Sequence, residues 1–142
     1  MKARCAPAVL LAIALAVAVR ARAEEPALER IVIDGSINPA AAEYVREGIA
    51  RASAEGRAAL VIQLDTPGGL LQSARTVVKD ILGAPLPVIV YVAPSGAGAA
   101  SAGVFVTMAG HVAAMAPGTS IGAAHPVGGQ GEEIREIGRA HV

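Results

Sequence analysis

The first residue that could do chemistry is a lone serine in a run of very small residues. Ser101 lies within GAGAASAGVF, residues 96–105, where almost every neighbour is glycine or alanine. Six of these neighbours could clear space for an extended substrate around a nucleophilic hydroxyl: Gly96, Gly98, Ala99, Ala100, Ala102 and Gly103. The alternative is structural, because small residues allow close packing at a helix start and serine is a good N-cap. Composition alone leaves both interpretations open.

A second candidate is the glycine pair in DTPGG, residues 65–69. Adjacent glycines between a strand and a helix bring the backbone close to a substrate with N–H groups outward, as in an oxyanion hole. Free N–H groups at the start of a helix over 101–110 would also favour a developing negative charge. Many turns use glycine only for positive φ, so that alternative remains. We expect Asp65 to cap the following turn, without acid or base chemistry.

Alternating strand-like and helical patterns predict the elements that position these two turns. We predict strands over 30–37, 58–64, 85–92 and 111–116, and helices over 38–56, 70–83 and 101–110. The helix over 38–56 has the clearest signals, which are an Asn cap, a Pro in its first turn and a terminal Gly. The strand over 58–64 is apolar without alternation, which predicts burial on both faces. We expect an α/β fold with a parallel sheet and ligand sites at the carboxyl ends of its strands.

Composition excludes several classes of function. The 142 residues carry a formal net charge of +0 and only 2% aromatic residues, so a nucleic-acid groove is not expected. Cys5 is the single cysteine and can form no internal disulfide. The three histidines are scattered without ligand spacing, so neither a metal nor another cofactor is expected.

The N-terminus has the pattern of an export signal. Lys2 and Arg4 precede an apolar run over 6–19, and Ala21 and Ala23 supply the small residues of a cleavage site. The apolar run is shorter than the roughly 20 residues of a spanning helix, which favours a cleaved signal over a permanent anchor. We therefore predict that residues 1–23 are a signal peptide or N-terminal membrane segment and that the remainder is exported.

Three motifs together carry a family resemblance. LDTPGG, YVAPSGAGAASAG and MAPGTSIGAAHPV, in this order, resemble the exported ClpP-class serine proteases of the NfeD-like family, which are partner proteases of stomatin-like membrane proteins. The resemblance covers about Arg30 to Val127. It implies a ClpP/crotonase-type fold, a spiral of ββα units, here incomplete at the C-terminus. It also implies a Ser/Lys dyad that cleaves apolar peptide segments near the membrane.

The resemblance assigns roles to individual residues by motif match. Ser101 takes the nucleophile position, the N–H groups of Gly69 and Ala102 take the oxyanion-hole positions, and Gly68, Gly98, Gly103 and His125 are candidate substrate-binding residues. The implied partners are a peptide or membrane-protein substrate, including a stomatin-like protein, and further copies of the chain in a dimer or larger homo-oligomer. The implied location is the periplasmic or extracytoplasmic face of a membrane, with the full-length protein integral to it.

The general base departs from the family pattern. In that family the base is a lysine about forty residues beyond the serine, whereas the lysines of this chain are Lys2 and Lys79. Lys79 is expected to be a solvated charge on the helix over 70–83. His111 or His125 could in principle replace the lysine, although a lone histidine is more often a structural or substrate-side group.

The last six residues suggest why the lysine is missing. IGRAHV, residues 137–142, is the translation of the start of a common sequencing adapter. We therefore expect residues 24–136 to be a partial protease domain, residues 137–142 to be a non-native tail, and the chain as written to be inactive.

Three alternatives to this assignment remain. A crotonase-like acyl-CoA enzyme would use the same paired N–H groups but is normally cytoplasmic. A signal-peptide-peptidase-type enzyme places its lysine before the serine, which would draw attention to Lys79. A non-catalytic crotonase-fold binding module would need no base at all.

Overall fold

The computed structural model describes residues 26–124, which form an α/β fold. The elements are β1 (Leu28–Asp34), α1 (Pro39–Ala54), β2 (Ala59–Asp65), α2 (Leu71–Leu82), β3 (Val88–Val92), β4 (Gly98–Ala100), α3 (Ala102–Ala109), β5 (Val112–Met115) and β6 (Ser120–Gly122). All the predicted helices and strands are present, with boundaries shifted by a few residues. The two short strands β4 and β6 were not predicted from the sequence pattern.

The main sheet has the order β1-β2-β3-β5, and every neighbouring pair is parallel. Because the strands are parallel, their carboxyl ends all lie at the same edge of the sheet. The turns that follow β2 and β3 therefore start from that edge, which confirms the predicted parallel α/β architecture.

The hydrophobic core covers one face of this sheet. Fully buried strand residues on that face are Ile31, Leu60, Ile62, Leu64, Val88, Val90 and Val92, and the helices pack Val45, Val77, Ile81 and Val106 against them. Along β2 these residues alternate with Val61, Gln63 and Asp65, which are only partly buried. The prediction that β2 is buried on both faces is therefore wrong for the described residues, because the helices pack on a single face.

Helix α1 begins and ends as its sequence signals predict. The Asn38 side chain accepts a hydrogen bond from the Ala41 N–H at 2.9 Å, and Pro39 occupies the first helical position. Gly56, two residues past the helix, has a φ of +62°, which glycine adopts without steric cost. Local chemistry alone therefore accounts for both ends of α1.

A second, smaller layer of strand pairing follows the carboxyl edge of the main sheet. Strands β4 and β6 pair in parallel, and isolated bridges join Thr66 to Ala99 and Ile37 to Gly69. Each strand of the main sheet is thus followed by a short segment of this second layer, and after β1, β2 and β3 a helix comes next. This is the ββα repeat that the family resemblance implied.

Within residues 26–124, none of the helices combines the length and apolar character needed to cross a bilayer. The predicted signal over 1–23, the predicted non-native tail over 137–142 and His125 all lie outside the described residues.

Candidate active site

Ser101 occupies a sharp turn between strand β4 and helix α3. Its backbone has φ 50° and ψ −112°, a conformation that residues other than glycine rarely adopt. Holding a side chain there costs on the order of 1–3 kcal/mol, so the surrounding structure must enforce it. Strained strand-to-helix turns of this kind present nucleophilic serines in hydrolases.

Within residues 26–124, the backbone of Ser101 is hydrogen-bonded, whereas its hydroxyl makes no hydrogen bond. Its N–H donates to the Gly122 carbonyl at 2.9 Å, and its own carbonyl accepts from the Val104 N–H at 3.1 Å. The side chain makes no capping bond to α3. The alternative that Ser101 serves as an ordinary N-cap is therefore wrong. Its half-buried side chain does not contribute to the start of the helix.

The glycines beside Ser101 differ in how closely their neighbours approach them, and Gly103 is the most crowded. A Cβ added to Gly103 would lie 2.5 Å from the Thr66 Cγ2 and 3.4 Å from the Ala99 Cβ. A Cβ added to Gly98 would meet the Ser120 Oγ at 3.4 Å. Gly103 is therefore closely packed and Gly98 makes an ordinary van der Waals contact, and the structure leaves their predicted substrate-binding role untested.

The glycine pair lies directly against the serine turn. Gly68 has φ +119°, and a Cβ placed on it would be 2.8 Å from the Ser101 Cβ and 3.3 Å from its Oγ. A Cβ on Gly69 would collide with the backbone of Ile37, 2.6 Å from its nitrogen. Both positions therefore require glycine, and the two motifs singled out in the sequence meet at one place in the fold.

The predicted oxyanion-hole donors are available in this arrangement. The Gly68 N–H is already used, because it donates to the Thr66 Oγ1 at 3.0 Å. Among residues 26–124, neither the Gly69 N–H nor the Ala102 N–H has an acceptor. Two backbone donors, each next in sequence to one of the contacting residues Gly68 and Ser101, thus remain unpaired within the described region. Ala102 opens α3, where the helix dipole favours negative charge.

Asp65 and Thr66 connect the glycine turn to strand β4. The Asp65 carboxylate accepts from the Gly98 N–H at 2.9 Å, instead of capping the turn that follows it. Thr66, whose residue surface is only 2% exposed, is a site neighbour that the sequence reasoning did not single out. Its only sequence signal is its place between Asp65 and the Pro-Gly-Gly turn.

Neither base candidate in the described region lies at the serine turn. Lys79 is exposed in the last turn of α2, about 12 Å along the helix axis from the end that follows Gly69. His111 lies at the opposite, amino edge of the sheet, where its Nδ1 accepts from the Val88 N–H at 3.1 Å. His125 is outside the described residues, so the structure leaves its predicted role untested.

The ionic interactions of the described region lie on its surface. Arg51 on α1 donates to Glu29 on β1 at 2.8 Å, and this hydrogen bond raises the pKa of the Arg51 guanidinium. No cluster of His, Cys, Asp and Glu side chains within residues 26–124 is arranged to hold a metal ion.

Comparisons with known proteins agree on the relationship of this chain. The family model described as NfeD1b, N-terminal domain, matches residues 28–139. The membrane-bound protease PH1510 of Pyrococcus horikoshii is 42% identical over 95 residues, which are 67% of this chain and 22% of that protein.

Solved structures show the same relationship in three dimensions. A lysine-to-alanine mutant of the 1510-N membrane-bound stomatin-specific protease, in complex with a substrate peptide, superposes with a TM-score of 0.73 at 36% identity. That match covers 80% of this chain and 53% of the other. ClpP1 of Listeria monocytogenes matches with a TM-score of 0.62 at 24% identity, over 70% of this chain and 58% of that chain, and shares the fold. This chain therefore spans about half of the solved relatives and about a fifth of the curated one.

Proposed function

This chain belongs to the NfeD1b N-terminal domain family, and from that membership we propose that it carries the nucleophile of a membrane-associated serine endopeptidase. In this proposal Ser101 attacks the scissile carbonyl. The N–H groups of Gly69 and Ala102 donate to the oxyanion that forms.

The conformation of Ser101 is the observation that carries the proposal. A serine needed only for packing or capping would relax to an ordinary φ, or would donate its hydroxyl to the helix or accept a bond from it. Ser101 does neither, and Gly68 packs against it with no room for a side chain. Within the described residues, the fold thus maintains a strained turn that leaves the Ser101 hydroxyl and the Gly69 and Ala102 N–H groups without hydrogen-bond partners.

A general base is needed to accept the Ser101 proton, and we assign it to a lysine outside this chain's own two. Lys79 is exposed and lies at the far end of α2, away from the serine turn. A lysine in a longer form of the protein, kept neutral by apolar surroundings, fits the family pattern. The chain as written is then inactive.

We base the proposed substrate class and location on the names of the relatives. PH1510 is named a membrane-bound protease, and its solved N-terminal domain is named stomatin-specific. We propose that this protein likewise cleaves an apolar, extended segment of a stomatin-like or other membrane protein. Together with the predicted export signal over 1–23, these names support our proposal that the site lies on the extracytoplasmic face, in a homo-oligomer of the full-length protein.

The test is a comparison of peptidase activity in the natural full-length protein and its variants on an apolar peptide. Ser101→Ala is expected to reduce kcat/KM by at least about a thousandfold, because the nucleophile is lost. Changing the first lysine that follows residue 101 in the natural frame to Ala should be equally damaging. Ser53→Ala, an exposed serine on α1, is the matched control and should retain wild-type activity.

Three outcomes would contradict the proposal. If the folded Ser101→Ala protein cleaves as fast as wild type, Ser101 is not the nucleophile. If Lys79→Gln abolishes activity while a later lysine is dispensable, the base precedes the serine, as in signal-peptide-peptidase-type enzymes. A folded protein that binds apolar peptides without cleaving them would instead be a binding module.

A further inference from the structure

Thr66 is a buried polar residue whose hydroxyl holds the glycine turn. Its Oγ1 accepts from the Gly68 N–H at 3.0 Å and donates to the Gly68 carbonyl at 3.0 Å. The same carbonyl accepts from the Ile37 N–H at 2.8 Å. The hydroxyl thus fixes the peptide units on both sides of Gly68, including the one that carries the Gly69 N–H.

The backbone of Thr66 holds the strand that leads into the serine. Its N–H donates to the Gly98 carbonyl at 2.7 Å, and its carbonyl accepts from the Ala100 N–H at 3.0 Å. Ala100 immediately precedes Ser101, so these bonds fix the approach of the chain to the strained turn.

The methyl group of Thr66 contacts the helix that follows the serine. The Thr66 Cγ2 occupies the space where a Cβ on Gly103 would lie, 2.5 Å away. Hydroxyl, backbone and methyl group therefore reach three different segments: the turn at 68–69, strand β4 and the first turn of α3.

We propose that Thr66 is the positioning residue that sets the Gly69 N–H and the Ser101 hydroxyl relative to each other. This role rests on the proposed function, since it acts through the two groups that would touch the substrate. The hydroxyl has a second effect, because it accepts the hydrogen bond of the Gly68 N–H. Of the two glycine N–H groups in the turn, the Gly69 N–H is then the one without an acceptor among residues 26–124. The methyl group has a separable effect on packing.

Two substitutions separate these contributions. Thr66→Val keeps the methyl group and the shape but removes the hydroxyl, whereas Thr66→Ser keeps the hydroxyl and removes the methyl. In the full-length protein we expect Thr66→Val to lower kcat by about ten- to a hundredfold. Without the hydroxyl, the Gly69 N–H would no longer be held in the direction that lets it donate to the oxyanion in the transition state. The KM for an apolar peptide should change by less than about threefold, since ground-state contacts persist. Thr66→Ser should keep kcat within about threefold of wild type.

Amide hydrogen exchange supplies a readout that needs no activity. The Gly68 N–H should exchange faster by about tenfold or more in Thr66→Val and should remain protected in Thr66→Ser. Circular dichroism establishes that each variant is folded. If Thr66→Val does not fold, Thr66→Ser alone still decides, because a folded Ser variant with kcat reduced by more than tenfold would overturn the role of the hydroxyl.

The outcomes distinguish this inference from the function on which it rests. Wild-type kcat in Thr66→Val, in an enzyme that Ser101→Ala inactivates, would overturn the positioning role alone. A loss of kcat in Thr66→Ser as large as that in Thr66→Val would also overturn it, because a variant that keeps the hydroxyl would then be equally damaged. Full activity of Ser101→Ala would overturn the proposed nucleophile and the positioning role together.

Discussion

Helices α1 and α3 both follow a residue type that favours helix N-caps, yet their first turns are built differently. Asn38 has an extended backbone, with φ −125° and ψ 177°, and accepts from the Ala41 N–H. Ser101 has φ 50° and makes no side-chain bond to its helix. The first helix start is stabilised by local contacts, whereas the second is held by contacts with Gly68, Gly122 and Thr66 from elsewhere in the chain.

This difference shows where the fold stores strain and where it does not. A capped start such as Asn38 contributes stability by itself, typically about 1 kcal/mol. A start such as Ser101 costs stability and persists only because tertiary packing enforces it. Backbone strain at a residue with a reactive side chain is typical of a catalytic turn. Substitutions at three positions, Gly103, Ser101 and Asn38, test the difference between the two helix starts.

The largest effect is expected from Gly103→Ala in the first turn of α3. The new Cβ would lie 2.5 Å from the Thr66 methyl group and 3.4 Å from the Ala99 Cβ. Both residues are buried, so neither can move aside easily. We expect a loss of about 2–3 kcal/mol in the free energy of unfolding, measured by urea denaturation of the full-length protein. Gly48→Ala in α1 is the matched control.

At Gly48 a new Cβ would meet side-chain atoms alone, 3.1 Å from the Ile31 Cγ2 and 3.8 Å from the Leu60 Cδ1. Alanine also gains up to about 1 kcal/mol of helix propensity over glycine. The Gly48→Ala change should therefore stay within about 1 kcal/mol of zero. Equal losses at the two glycines would contradict the special crowding of the α3 start.

A smaller effect of opposite sign is expected at Ser101 itself. Ser101→Gly should be more stable than Ser101→Ala by about 1 kcal/mol, because only glycine adopts φ 50° and ψ −112° without strain. Differential scanning calorimetry of the two variants side by side measures this, with a higher Tm for the Gly variant. A higher Tm for the Ala variant would show that the turn relaxes and holds no strain.

An effect no larger than this is expected at the ordinary helix start. Asn38→Ala should lower the free energy of unfolding by about 1 kcal/mol, because the Ala41 N–H loses its acceptor. Asn38→Asp keeps an acceptor oxygen and should recover most of that loss. Peptidase activity should stay at the wild-type level in both, and a loss of activity would mean that the two helix starts are not independent.

Most helices and strands of the main sheet could be predicted from local patterns. Asn38, Pro39 and Gly56 mark the limits of α1, and the apolar run after residue 58 marks β2, since these signals act within a few residues of themselves. Strands β4 and β6 were missed because three residues are too few to show a period. The one-sided burial of β2 was missed because an apolar run does not say how many faces are covered.

The sequence by itself determined the α/β class, the helix limits and the two turns that matter, since glycine, serine and cap residues act through their own backbone conformations. The tertiary structure alone decided that Gly68 packs against Ser101, that Asp65 bonds to Gly98 and that Thr66 joins both turns. These contacts connect segments more than thirty residues apart, as the 33-residue separation of Asp65 and Gly98 illustrates. Such contacts depend on strand register and chain path, which no local pattern specifies.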